Sequence, residues 1–454
     1  MTTGYGRPVQ VRATAATVVA SPAPAWSALV GFRGLVVAAV LGYHALRMGL
    51  TRNGGNWGDV SPLWWWAGTA RFGVDAFFVL SGLLVVASWQ RCRRHAATVG
   101  AAVREYAARR AWRILPAYWA SLAVFGTIAL ARARIDWGDV GLLVGVQQYA
   151  QGHLPAQVNL PYWSLTTEVH FYLLVPAVAW LFHRVGGWPL VAAAALLSIW
   201  WVQAPVRGEL PASLIVGRLD QFLVGVVAAD LVRRASAGPR PALVRLATRP
   251  GAGWVLLGAL VTLGTYHGAT FQRDVDNVLV WATHPLAGLV LGALVVRLLC
   301  GTPVTACERP VWRFLGVISY SLYLWHYPVL DMGFDWLGLR GAEPNQSSLG
   351  VMAATLALMA LAVALAGAAY LAVERPAARR KGGRRRSPDR VGTRPDRVVD
   401  GPSHRPLDRG HDGIEVERGL PGPVRTGVQE ELDVAVGAPH GRSHGPDHGR
   451  AVRA

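Results

Sequence analysis

Two ionisable side chains stand inside the first long apolar run of the chain, GFRGLVVAAVLGYH: Arg33 and His44. At roughly 100° per residue the interval between them returns to within about 20° of one helical face, about 16 Å apart along the axis. Ionisable groups in such a setting are costly in lipid and usually face a bundle interior or a water-filled cavity, so the two read as opposite ends of one shared cavity. The structural alternative is that Arg33 snorkels to a headgroup layer while His44 hydrogen-bonds a neighbouring helix. The second run, RFGVDAFFVLSGLLV, sets Asp75 about level with His44. A carboxylate there is suited to orient an imidazole and stabilise its protonated form; otherwise it is an acid favoured by a helix N-terminus. Ser81 and Gly82, deeper in the same run, read as small residues that allow close helix packing.

Arg110 and Arg113 in RRAWRILPAYW are three positions apart and share a helical face, where a phosphate-bearing molecule would meet them at the membrane surface. The enrichment of cytoplasmic loops in Arg accounts for them equally well. PYWSLTTEVHFYLLVP carries Glu168 and His170 into an apolar span behind an aromatic belt. Glu168 reads as a general base, as a partner for Arg33 or a polar acceptor, or as an interfacial group. Arg218 and Asp220 in RLDQFLVG read as structural partners of groups on neighbouring helices, and His326 in SYSLYLWHYPVL as a core histidine bonded to a backbone carbonyl.

The elements that must hold these residues follow from composition. The 454 residues are 52% hydrophobic and 16% charged, too apolar for a soluble domain of this length. The net charge of +18 is almost entirely arginine, with Lys381 the one lysine, and the bases lie between apolar runs instead of on one module, which argues against nucleic-acid binding. Cys92, Cys300 and Cys307 lack metal-ligand spacing and fall on the reducing side in the topology below, so neither a metal site nor a disulfide is expected.

A spanning helix needs about 20 mainly apolar residues. Segments 28–46, 70–89, 113–132, 164–183, 188–203, 213–232, 253–268, 279–299, 313–331 and 349–373 meet or approach this, so the expected fold is an all-α integral membrane protein, a bundle of about ten transmembrane helices. Loop 90–112 carries Arg91, Arg93, Arg94, Arg104, Arg109 and Arg110; loop 233–252 carries Arg233, Arg234, Arg240, Arg245 and Arg249; Arg309 and the run ERPAARRKGGRRR follow. All fall on the cytoplasmic side if the N-terminus does, whereas loops 204–212 and 332–348 are poor in bases, so both termini are expected in the cytoplasm. Residues 1–26 read as a flexible N-terminal tail, because TAATVVASPAPA is too short and interrupted for a signal peptide. Residues 27–376 read as the membrane domain and 377–454 as a disordered Arg/Pro/Gly-rich cytoplasmic tail. Its regularly spaced His440, His444 and His448 sit among Gly and Pro, a poor setting for a metal.

Seven segments in fixed order resemble the type 3 family of integral membrane acyltransferases. They are Arg33 and His44 in helix one, GVDAFFVLSG, the Arg-x-x-Arg of Arg110 and Arg113, WSLTTE, RLDQFLVG, ISYSLYLWHYPV and a closing Glu374-Arg375-Pro376. The likeness runs from about Gly31 to Pro376. It implies a roughly ten-helix fold and transfer of an acyl group, acetyl by analogy, from cytoplasmic acyl-CoA to a hydroxyl of a glycan, lipid or macrolide-type acceptor. It also implies a catalytic part for His44, an essential part for Arg33 and donor binding by Arg110 and Arg113. Many members carry two adjacent acids in the fourth-helix motif, where here Glu168 is followed by Val169, so a paired-carboxylate role has no counterpart. The tail is also too short and polar for the hydrolase-like domain that members often bear.

On this reading His44 is a general base toward the acceptor hydroxyl, oriented by Asp75 or Glu168, or a nucleophile that forms a short-lived acyl-imidazole. The partners implied are membrane lipid, acyl-CoA and a hydroxylated acceptor. A transporter or flippase would use the same buried polar residues without chemical change, usually with an internal repeat that this chain does not visibly carry. A membrane subunit whose cytoplasmic tail recruits partners is a third reading.

Overall fold

The computed structural model describes residues 23–52, 67–148, 157–203, 214–271, 277–339 and 348–383. Among the described residues there is no strand, and the regular elements are helices. They are α1 (Ala23–Arg52), α2 (Gly73–His95), α3 (Val99–Ala131), α4 (Trp137–Val144), α5 (Tyr162–Val185), α6 (Gly187–Gln203), α7 (Leu219–Ala237), α8 (Ala242–Ala247) and α9 (Ala252–Phe271). After them come α10 (Val278–Cys300), α11 (Thr305–Glu308), α12 (Pro310–Val317), α13 (Ser319–Trp336), α14 (Ser348–Ala369), a π-helical turn (Tyr370–Glu374) and α15 (Arg375–Gly383).

Among the described residues each of the ten apolar segments lies largely on a helix, with 313–331 divided between α12 and α13 and the α-helix of 213–232 beginning at Leu219. Among the described residues six stretches are long and apolar enough to cross a membrane: Ser27–Gly49, Ala67–His95, Val99–Ala131, Tyr162–Val185, Val278–Cys300 and Leu349–Arg379. Large apolar side chains, among them Leu173, Leu196, Trp254, Val255 and Leu349, stand exposed on the outside of the bundle. So much exposed apolar surface fits a hydrocarbon solvent and not water.

Two boundaries differ from the sequence reading. The Arg-rich stretch 90–112 is mostly helix, because α2 runs on to His95 and α3 begins at Val99, capped by the Thr98 side chain accepting from Ala101 N at 3.1 Å. AAVREYAARRAWR is built largely of strong helix formers, so the bases ride on the N-terminal half of a 33-residue helix. At the other end α15 carries the chain to Gly383, past the expected tail boundary at 377. Positions 1–22 and 384–454, with His440, His444 and His448, lie outside the described residues.

The most enclosed of the long helices is α2, 78% of whose apolar window is buried against 28% for the stretch ending in α14 and α15. Small residues let backbones meet around it: a Cβ at Gly82 would lie 2.0 Å from the Phe222 carbonyl oxygen of α7, and one at Gly225 equally close to the Val79 carbonyl oxygen. Phe222 stacks between Phe78 and Phe171, at centroid distances of 4.6 and 4.2 Å. Among the described residues Pro116, Pro176, Pro285 and Pro328 lie inside helices, and two of the carbonyls they leave without the usual partner gain one from another segment. Pro176 frees the Tyr172 carbonyl, which accepts from Tyr106 Oη at 3.1 Å, and Pro328 frees the Leu324 carbonyl, which accepts from Asn159 Nδ2 at 2.8 Å.

Candidate active site

A cavity of about 100 Å³ opens between α1, α2, α3, α5 and α13, and it brings together Arg33, Arg110, Arg113 and Glu168 among apolar and hydroxyl-bearing side chains. Arg33 Nη2 donates to Ser319 Oγ at 3.0 Å, at the first residue of α13. Glu168 Oε1 accepts from Ser81 Oγ and Tyr172 Oη, each at 2.6 Å. Tyr172 lies one turn after Glu168 and so shares its face. Ser81 therefore holds the carboxylate, whereas its neighbour Gly82 alone serves the packing expected of both.

The two arginines of α3 are held differently. Arg110 lies over the Tyr172 ring at 5.8 Å and is largely buried. Arg113 lies over Tyr320 at 5.8 Å, and its Nη1 donates to Glu374 Oε1 at 2.5 Å. Glu374 Oε2 accepts from Ser321 Oγ at 2.9 Å. The π turn that ends at Glu374 is a rare feature that recurs at functional sites. Sequence reasoning gave Glu374 no role, although an acid closing an apolar run was a usable signal. Three guanidinium groups against one carboxylate line the cavity itself, since Glu374 stands behind Arg113 and not in the wall. Such a lining favours an anion, and guanidinium forks suit phosphate oxygens.

His44 has a different neighbourhood. Its ring lies 5.1 Å from Tyr43, 5.2 Å from His326 and 5.2 Å from Tyr327, centroid to centroid. The shared face read from sequence holds, because Arg33 and His44 both meet α13, at Ser319 and His326. Arg33 lines the cavity, whereas His44 stands next to it beyond Tyr323 and His326 and is not among its lining residues. Tyr323 of the lining packs edge-on to Phe77 at 5.9 Å, and its ring lies 5.7 Å from His326. Tyr323 thus links the cavity wall to His326, the ring beside His44.

Asp75 bonds elsewhere than expected. Its Oδ1 and Oδ2 lie 3.0 and 3.2 Å from His284 Nδ1, and Arg218 Nη1 lies 3.4 Å from Oδ1. The imidazole that Asp75 orients is that of His284 on α10, not His44, because the first turn of α2 directs Asp75 toward α7 and α10 while His44 faces α13. Glu168, held by Ser81 and Tyr172, does not orient His44 either. Arg218 and Asp220 pair across helices as the sequence suggested, Asp220 Oδ1 accepting from Ser198 Oγ at 2.7 Å. His284 and its ring neighbour His267, 4.9 Å away, were not singled out, though each is an ionisable group within an apolar helix.

Comparison with known proteins agrees with the ordered motifs. The acyltransferase domain family (acyltransferase 3) matches residues 26–372. The acyltransferase MdmB of Streptomyces mycarofaciens is 26% identical over 368 residues, covering 72% of this chain and 84% of that protein. The putative membrane-bound transacylase BcsY of Komagataeibacter xylinus is 28% identical over 321 residues, covering 66% and 71%. The peptidoglycan O-acetyltransferase OatA of Listeria monocytogenes is 26% identical over 357 residues, covering 69% and 50%. No solved structure matches. With apolar helices of spanning length and a family match over most of its length, the chain belongs to the acyltransferase 3 family and is a membrane-bound acyltransferase.

Proposed function

We propose that the protein transfers an acyl group, acetyl by default, from cytoplasmic acyl-CoA to a hydroxyl of a glycan, lipid or macrolide-type acceptor. The observation that carries this reading is the convergence of Arg33, Arg110 and Arg113 on one cavity whose wall holds a single carboxylate. The donor's phosphates meet Arg110 and Arg113, and its thioester points along the cavity toward Tyr323 and the His44 region. His44 takes the proton of the acceptor hydroxyl as the oxygen attacks the thioester carbonyl, and that proton then goes to the departing thiolate. Arg33, fixed by Ser319, is positioned to stabilise negative charge that develops on the donor. Glu168, carrying hydrogen bonds from Ser81 and Tyr172, shapes the cavity wall between the arginines.

In this reading the chain crosses the membrane ten times with both termini in the cytoplasm, which puts the Arg-rich start of α3 and α15 on the donor's side. MdmB, named an acyltransferase, and OatA, named a peptidoglycan O-acetyltransferase, support acyl transfer as the chemistry. Mass spectrometry of surface glycans, lipids and secreted metabolites from cells with and without the gene tests it. The expected result is loss of one acyl unit from one class of molecule. Identical acylation in both strains, with a solute redistributed across the membrane, would favour a transporter instead.

A further inference from the structure

His326 is tied down on one side only. Its Nδ1 lies 3.0 Å from the Leu322 carbonyl oxygen and 2.9 Å from the Tyr323 carbonyl oxygen. A carbonyl only accepts, so Nδ1 carries the hydrogen and the neutral ring keeps its lone pair on Nε2. That Nε2 is buried and makes no hydrogen bond among the described residues. An unsatisfied acceptor in a buried site is uncommon and calls for a physical reason. The ring next to it is that of His44, 5.2 Å away centroid to centroid and tilted by 46°, a separation that a hydrogen bond between facing ring nitrogens would span. The mount is stiff. Pro328 interrupts the helix just after His326, and Asn159 of the segment before α5 satisfies the Leu324 carbonyl thereby released. Tyr323, whose ring also contacts His326, is held by Ser164 at 2.6 Å.

We propose that His326 is the positioning residue for His44: its Nε2 accepts the N–H of His44, so that the opposite nitrogen of His44 presents its lone pair to the acceptor hydroxyl. This rests on the reading of His44 as the base. As the hydroxyl proton moves to the outer nitrogen of His44, the proton on the inner nitrogen moves to His326 Nε2. His326 then carries both N–H groups, with Nδ1 still donating to the two carbonyls. The protons return by the reverse route when the donor's leaving group is protonated. The imidazole that a carboxylate orients in many enzymes is here oriented by a second imidazole, whose own tautomer the main chain of α13 fixes.

Carbethoxylation by diethyl pyrocarbonate tests this without knowledge of donor or acceptor. The full chain in lipid nanodiscs is treated with the reagent at pH 7.5, and modification of the His44 peptide is followed by mass spectrometry. His326→Phe keeps a ring but has no acceptor nitrogen, and His44 modification is expected to slow at least fivefold. His326→Gln offers an amide N–H to the carbonyls and an oxygen to His44, and the rate is expected to stay within twofold of the parent. A parental rate in His326→Phe overturns the proposal, and so does equal slowing in both variants, which would report disturbed packing. On the unmodified sequence, ¹⁵N-histidine NMR is expected to show a protonated Nδ1 and an imine-type Nε2 for His326. A protonated Nε2 on the neutral ring would overturn it as well. These readouts stand whether or not acyl transfer is the activity, so a failure here is distinct from a failure of the proposed function.

Discussion

Two polar regions lie inside this bundle, and they use their charges differently. Around Asp75 the charges meet one another: His284 Nδ1 sits against the carboxylate, Arg218 completes the group, and Phe72 packs edge-on against the His284 ring. Around the cavity the charges converge on open space. Arg33, Arg110 and Arg113 face it with Glu168, and each is held from behind or beside by a hydroxyl, an aromatic face or Glu374. Ionisable groups in apolar helices are therefore not equivalent as markers of function. Those that only pair with one another are suited to brace helices, and those that also line a cavity are the ones to test for a ligand.

The sharpest test of this contrast is His44→Ala against Asp75→Asn. Loss of a general base lowers rates by roughly 10²- to 10⁴-fold, so acyl transfer by His44→Ala membranes is expected to fall to that extent while the protein remains inserted, as judged by product mass spectrometry and immunoblotting of membrane fractions. Full activity would remove His44 from the mechanism. Next in size is Arg110→Ala. A hydrogen bond to a charged group contributes about 1.5–3 kcal/mol, so the donor KM is expected to rise roughly tenfold to a hundredfold. Initial rates across acyl-CoA concentrations check this, and an unchanged KM would place the donor elsewhere.

Glu374→Ala should act first on stability. Removing one partner of a mostly buried ion pair leaves the other charge uncompensated, at a cost of about 3 kcal/mol, so the apparent Tm in detergent is expected to drop, with Glu374→Gln intermediate. A Tm equal to the parent's would mean that Arg113 is hydrated and not dependent on Glu374. Asp75→Asn is expected to have the smallest effect on chemistry. The amide still bonds His284 and loses mainly the attraction to Arg218, so activity should change by about 1 kcal/mol, roughly fivefold, or less. A loss as large as that of His44→Ala would move the Asp75 region from bracing to catalysis.

Much of the architecture was legible in the chain. Apolar runs marked every long helix, because each had to be long and greasy whatever its neighbours. The common face of Arg33 and His44 followed from helical periodicity alone, and both do meet α13. The helical form of 99–112 was missed because arginines that marked a loop by charge are also strong helix formers. Which ionisable groups meet was not legible. Asp75 was matched to His44 by depth, yet depth says nothing about azimuth, and the first turn of α2 faces α7 and α10. Glu374 reaches Arg113 across 261 positions of sequence, and only the docking of α3 against the π turn brings them together.

The sequence by itself determined the apolar, lipid-facing helices of residues 27–376 and the charges at a few fixed depths within them, because burial in hydrocarbon constrains composition and period locally. The tertiary structure alone decided which charges meet one another and which of them also line the cavity. It also decided that His44 looks at His326 and not at a carboxylate. The rotation of each helix about its axis is set by packing between helices, through contacts such as Gly82 against Phe222, and no single helix carries that information.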